Sequence, residues 1–290
     1  PLVIATSVTG KVVRSVEAIS IAREQNGLTL GITGHLQAPL AQASDKTIDC
    51  TLPPMARCPG VRSYCMSLLV MYLLGIHLAE VKGILSQRES GQMRARLSHT
   101  ANQLEDTLRQ SQPKAQELAG IFKDVQYFVF LGEGTNYATA YFTAAKVTEA
   151  CGLVAVPQNV EEWAHLQYFE STFPDAPTFL ITNQHRGYPR FLELIPLMRR
   201  IGRRIVAVAP AACKELTSLA DYVLPVSGQV EDLFSPLVYA APGELFAAHL
   251  ADVIHAEYFR EDLPHYHGYS NAIYMGESQL LTRGEIRQRD

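Results

Sequence analysis

Apolar residues along this chain follow two alternating rhythms. Short apolar and β-branched runs, such as those that open "PLVIATSVTG" at residue 1, "YFVFLGEGTN" at 127 and "PTFLITNQHR" at 177, predict strands. Between them lie stretches of about 12 to 16 residues with apolar positions three and four apart, which predict amphipathic helices. Strands alternating with helices imply parallel βαβ units, and strands apolar at nearly every position imply burial on both faces. The expected class is therefore α/β.

The pattern also repeats. The segment opening "PLVIATSVTGKVVRSVEAISIAREQNG" from residue 1 and the segment opening "PTFLITNQHRGYPRFLELIPLMRRIG" from residue 177 share one order of elements. Each reads as strand, polar turn, helix, glycine cap (Gly27, Gly202) and second strand. A short helix ending in aspartate (Asp45, Asp221) and a third strand follow. Two tandem three-layer αβα sandwiches with parallel sheets are expected, over residues 1–85 and 124–290, with a helical linker at 86–123. "YFVFLGEGTNYATAYFTAAKVTEA" precedes the second copy; by analogy roughly 50 further residues would precede Pro1, leaving the first sandwich N-terminally incomplete.

The longest apolar run, "MSLLVMYLLGIHLA" at 66–79, is shorter than the roughly 20 residues that span a bilayer and predicts a buried core helix. With 19% charged residues, a formal charge of −4 and no long basic block, neither nucleic acid nor a membrane is an expected partner. Cys50, Cys58, Cys65, Cys151 and Cys213 show no CxxC spacing, which fits reduced thiols in a cytoplasmic protein. No His/Cys/Asp cluster has ligand spacing, so no metal and no cofactor is expected, and His265 and His267 read as packing or surface residues.

Ligands of open parallel sheets bind beyond the carboxyl ends of the strands. Two turns qualify. In "ATSVTGKVV" the hydroxyls of Ser7 and Thr9, flexible Gly10 and Lys11 stand at a helix mouth, where free N–H groups and the dipole favour an anion such as phosphate. The plainer alternative is a cap and a glycine that merely start the helix. The second turn, "GEGTNYATA", offers Gly132 and Gly134 for close backbone approach and Thr135 or Asn136 as a cap. It departs from a dinucleotide fingerprint at Ala138 and lacks the acidic residue after the next strand.

The helix from Thr135 to Cys151 places Glu149 in its last turn, where the dipole works against a carboxylate and suits it to act as a general base. His165 follows sixteen residues later, after Glu161 and Glu162. Without further context, a surface glutamate and a satisfied helix histidine explain the same residues.

In order and spacing the motifs resemble the sugar isomerase (SIS) domain superfamily, above all the isomerase half of glutamine:fructose-6-phosphate amidotransferase and its deaminase and deglycase relatives. "GEGTNYATAYFTAAKVTE" is similar to that family's second-domain opening, with Gly-x-Gly, a tyrosine three residues on and a helix ending Lys-x-x-Glu. The resemblance implies that Glu149 is the catalytic glutamate and that Glu162 and His165 match the family's glutamate and ring-opening histidine. "SVTGKV" is similar to the phosphate loop Ser-x-Ser-Gly-x-Thr, which assigns phosphate binding to Ser7, Thr9, Gly10, Lys11 and Val12. Val12 stands where threonine is expected. The helix at 60–79 takes the place of the family's Val-Ala-Ser-Thr-Lys helix and keeps Val61 and Ser63 as substrate contacts, with Tyr64 and Cys65 replacing Thr-Lys. Gly132, Gly134 and Thr135 are further substrate-contact positions. Leu166-Gln167 replaces Gly-Pro after the histidine, and the tail from His265 lacks the lysine of the amidotransferase branch.

The resemblance implies a phosphosugar enzyme. It would open the ring through His165, which acts in the neighbouring subunit's site in relatives, and shuttle a proton between C1 and C2 through Glu149 by way of an enediol or enamine. The outcome is isomerisation or deamination/deglycation of a sugar 6-phosphate. A homodimer with composite sites is implied, built in part by the apolar helix at 66–79. The rival reading is a non-catalytic sugar-phosphate sensor of the same fold.

Overall fold

The computed structural model describes residues 1–54, 59–185, 187–257, 260 and 263–266, which fall into two compact units, the first holding residues up to Lys82 together with 263–266 and the second the residues from Gly83 to 260. The C-terminal tail, His267 among it, lies outside the described residues. His265 is exposed.

In the first unit, β1 (Leu2–Thr6), β2 (Leu28–Thr33) and β3 (Lys46–Asp49) form a parallel sheet in that order, joined by α1 (Val13–Glu24) and α2 (Pro39–Ala43). Val3 and Ala5 meet Val16, Ile19, Leu40 and Ala43 in a small apolar core. The helix that follows, α3 (Val61–Val81), corrects the expectation of a buried core helix. It runs 21 residues, and Ile76 is its one buried residue, while Met71, Leu73 and Val81 are 42%, 40% and 69% exposed. The wrong inference came from treating apolarity as burial: a run of leucines is buried only if other elements cover it. By length and composition α3 could cross a membrane.

In the second unit, β4 (Tyr127–Gly132), β5 (Val154–Asn159), β6 (Pro177–Ile181), β7 (Arg204–Pro210) and β8 (Tyr222–Val226) form a parallel sheet in the order β5-β4-β6-β7-β8. Every residue of β4 is buried. Its alternation divides two cores. Tyr127, Val129 and Leu131 join Trp163, Phe191, Leu194 and Met198 on one face, beneath α6 (Val160–Trp163), α7 (Tyr188–Arg200) and α8 (Lys214–Thr217). Phe128 and Phe130 point the other way, into an aromatic cluster with Phe122, Phe179 and Phe246. That face is covered by α4 (Gln87–Ile121), α5 (Thr135–Cys151) and α9 (Ser235–Val253).

The segment expected as a helical linker is thus a single helix of the second unit. A reciprocal cap between Ser86 and Glu89 starts α4, and it continues through Gly91 and Pro113. Thr107 accepts a hydrogen bond from Ser227 N–H at 2.9 Å and Ser111 donates to Pro225 O at 2.5 Å, which fastens α4 to the end of β8.

The repeat seen in the sequence reappears as one device in each unit. Asp45 accepts from the N–H and hydroxyl of Thr29 at 3.0 and 2.7 Å and pairs with Arg23 at 3.1 Å. Asp221 accepts from Ile205 N–H at 2.7 Å and pairs with Arg199 at 3.0 Å. Each aspartate ties the end of the preceding helix to the start of the middle strand. The Thr29 hydrogen bonds hold the Asp45 carboxyl below its ordinary value, so its contribution is present above about pH 3.8 and is lost as pH falls through the lowered value. Asp45→Asn should therefore lower Tm at pH 7 and narrow the gap from wild type on acidification, as differential scanning calorimetry across pH 2–7 would show.

Candidate functional site

The β1–α1 turn is built around Gly10, whose φ is +64°. A Cβ there would sit 2.6 Å from Ala38 Cβ and 2.8 Å from Thr33 Oγ1, so only glycine fits. Hydrogen bonds fix the turn: Ser7 N–H donates to Ile32 O, Gly10 N–H to Ser7 O and Leu40 N–H to Gly10 O, each at 3.0 Å. Within this rigid turn the Ser7 hydroxyl is enclosed and finds no hydrogen-bond partner among the described residues. Thr9 Oγ1 accepts from Lys11 N–H at 3.3 Å, and Lys11 is exposed.

Val12 is the residue at the head of α1. Having no hydroxyl, it supplies no side-chain cap, and no acidic residue stands in the first turn. The one nearby carboxylate, Glu17, is paired with Arg14. Replacing threonine by valine therefore removes one hydroxyl and also leaves the first N–H groups of the helix without a side-chain acceptor. Val61 and Ser63 stand half-buried in the first turn of α3.

At the β4–α5 turn, a Cβ on Gly132 would lie 2.0 Å from Asn136 O, because the first turn of α5 folds directly over it. Gly134 takes φ +53°. Thr135 is engaged inside the protein: its hydroxyl lies 3.1 Å from Asp232 O, Asp232 Oδ1 and Ser235 Oγ. Asp232 also accepts from Asn183 Nδ2 at 3.0 Å and lies 3.6 Å from His185 Nδ1. This Asn183–His185–Asp232 group at the carboxyl edge of the sheet was not foreseen, since its members come from loops that only the fold brings together.

Glu149 lies in the last turn of α5, as expected. Its carboxylate is half-exposed and takes a hydrogen bond from Lys146 Nζ at 2.5 Å, and the Lys146 side chain is itself buried. The Lys146 ammonium also sits 4.9 Å from the Phe142 ring. Across from it on α9, burial pushes the Glu244 carboxyl up to about 7 against the opposing pull of Lys146. Lys146 could have been found from its i, i+3 spacing to Glu149. Glu244, nearly a hundred residues away, carries no local signal.

His165 is exposed, just after α6, and its close acidic neighbour is Glu161, at 3.8 Å, rather than Glu162. A two-point contact from Arg190 at 2.7 and 3.1 Å holds Glu161. Glu162 is exposed, and its carbonyl accepts the N–H groups of His165 and Leu166. The segment after His165 is pinned by Arg203, whose buried guanidinium donates to Phe173 O, Gln167 O and Glu170 O at 2.5, 2.8 and 3.0 Å. A separate open cavity of about 340 Å³ between α4 and the loop after β8 is lined by Arg96, His99, Gln103 and Glu231. None of the expected site residues lines it.

The architecture is a parallel α/β fold shared with solved phosphosugar-isomerase and aminotransferase structures. No protein-family profile matches the chain. Over 252 residues it is 26% identical to the glutamine–fructose-6-phosphate aminotransferase [isomerizing] of Gloeobacter violaceus, a match covering 86% of this chain and 41% of that protein. The C-terminal domain of glucosamine-fructose-6-phosphate aminotransferase from Francisella tularensis superimposes with a TM-score of 0.80 at 18% identity, covering 89% of this chain and 72% of that one. Glucosamine-6-phosphate deaminase from Thermotoga maritima gives a TM-score of 0.67 at 18% identity over 91% of this chain and 73% of that one. The chain thus resembles the isomerase part of these aminotransferases over most of its own length, and spans less than half of theirs.

The raised Glu244 carboxyl has a consequence for stability. Its folded value lies above its ordinary 4.5, so the fold favours the neutral acid and loses stability as pH rises from about 4.5 to about 7. Glu244→Gln, which stays neutral, should be more stable than wild type at pH 8 by up to about 3 kcal/mol and show little of that advantage at pH 4. Urea unfolding at the two pH values measures it.

Proposed function

We propose that this chain binds a sugar 6-phosphate through the Ser7–Val12 turn and rearranges it by proton transfer through Glu149. The observation that carries the reading is the Ser7 hydroxyl, enclosed and unpartnered in a turn that Gly10 makes rigid, at the head of a helix with no side-chain cap. Such a turn offers a phosphate dianion hydroxyl and N–H donors already in place. Holding the phosphate there lets binding energy remote from C1 and C2 orient the reacting carbons.

Glu149 serves as the base that moves a proton between C1 and C2, with Lys146 at hand to balance charge. His165, 3.8 Å from Glu161, assists ring opening. Glu162, three residues before His165, acts with it. The products are those of aldose–ketose isomerisation, or of deamination or deglycation of an amino sugar. The active form is a homodimer, since α3 and the exposed Leu166 and Phe169 offer apolar surface to a second copy. Sedimentation equilibrium should give twice the monomer mass at micromolar concentration, and a strict monomer would remove this part of the proposal.

A thermal-shift series with fructose 6-phosphate, glucosamine 6-phosphate and their unphosphorylated sugars tests the site, with product detection on every ligand that stabilises. Stabilisation should require the phosphate and weaken about tenfold in apparent affinity in Ser7→Ala. Glu149→Gln should keep binding and lose turnover by a factor of roughly 10² to 10⁴. Binding without turnover in wild type would favour a sensor, and no phosphate-dependent stabilisation would overturn the role of Ser7.

A further inference from the structure

We infer that Arg203 is a positioning residue for His165, because its guanidinium holds the backbone of the segment that follows the histidine. The proposal deepens the reading of His165 as the ring-opening residue and rests on it.

His165 has little of its own to hold it. Its side chain is 65% exposed and its acidic neighbour Glu161 stands 3.8 Å away, so the place of the imidazole is set mainly by its backbone. Between α6 and β6 that backbone has one regular element, the 3-10 turn Gln167–Phe169. Bonds from Phe169 N–H to Leu166 O at 3.1 Å and from Glu170 N–H to Gln167 O at 3.3 Å close it. A single turn of this kind is not stable alone, since fixing its residues costs more than its few hydrogen bonds return.

Arg203 supplies what the turn lacks. Its side chain is wholly buried, with Nη1 donating to Phe173 O at 2.5 Å and Nη2 to Gln167 O and Glu170 O at 2.8 and 3.0 Å. A planar fork of N–H donors can hold three carbonyls at once where an ammonium on a flexible stem cannot. The turn that carries the arginine is itself fixed. Arg203 N–H donates to Met198 O at 3.0 Å, and Gly202, at φ +94°, packs so that an added Cβ would lie 3.3 Å from Pro174 O in the same segment. On the other side of the histidine, Arg190 grips Glu161 one helical turn before it, at 2.7 and 3.1 Å. The two ends of α7 thus brace the backbone before and after His165. Gln167 O lies two residues past the histidine, so its release shifts the imidazole, and a displacement of about 1 Å can cost on the order of 10²-fold in rate. Arg203, being enclosed, acts only through that backbone.

The test combines local hydrogen exchange with a double-mutant cycle on the full chain. In Arg203→Gln, peptides covering 164–173 should exchange at least about tenfold faster than in wild type, while those covering β4 keep the wild-type rate. For whichever of fructose 6-phosphate and glucosamine 6-phosphate the wild type converts, Arg203→Gln should lower kcat by roughly 10- to 100-fold with KM little changed. In a His165→Ala background the same change should lower kcat no further, because the group being positioned is already gone. Arg203→Lys, which keeps the buried charge without the fork, should fall between, and it takes over both measurements if Arg203→Gln does not fold. Unchanged exchange at 164–173 overturns the proposal, and so do losses that multiply in the double variant. Faster exchange there in a protein that converts neither sugar phosphate overturns the catalytic reading of His165, and the positioning role with it, and leaves the clamp alone standing.

Discussion

Strand β4 can exist only if both of its faces are covered. All six of its residues are buried, with Tyr127, Val129 and Leu131 on one side and Phe128 and Phe130 on the other. A parallel strand of this kind demands a helix layer on each face, and every connection between strands must then cross over as a helix. The turns at the carboxyl edge follow from that demand. The β4–α5 turn, the start of α7 and the Asp232 loop converge there because the sheet leaves them no other place.

The same demand explains why α5 and α9 lie so close. Phe246 of α9 packs against Phe122, Phe128 and Phe179, which draws α9 down onto the sheet beside α5. Gly243 then lies against Thr143 in a seam with no room for a side chain. The Lys146–Glu149 pair is local to α5, its members three residues apart on one helix face. A lysine with its side chain almost wholly buried would be costly without a carboxylate at 2.5 Å.

In the first unit the constraint is smaller in scale. Gly10 lets the chain turn back over Thr33 and Ala38, and in doing so encloses the Ser7 hydroxyl before any ligand is considered. A hydroxyl held in place by its own turn has little conformational freedom left to lose. The aspartate clamps of the two units serve the same end, because they set where each middle strand begins and hence where its far end emerges.

The sequence by itself determined the strand and helix order, the parallel connections, the aspartates that close the two short helices and the special glycines. These depend on local chemistry: period two against period three to four, left-handed φ, hydrogen bonds a short distance along the chain. It also placed Ser7 and Gly10 in one turn and Glu149 in the last turn of its helix. Only the tertiary structure decided that the apolar α3 is left mostly unburied, that the segment at 86–123 belongs to the second unit, and that Thr135 is bonded inside the protein. It alone decided that Glu161 rather than Glu162 faces His165, and that Glu244 is buried on α9. Burial, helix facing and the partners of a charged group depend on which distant elements pack together, and no window of sequence contains both sides of such a contact.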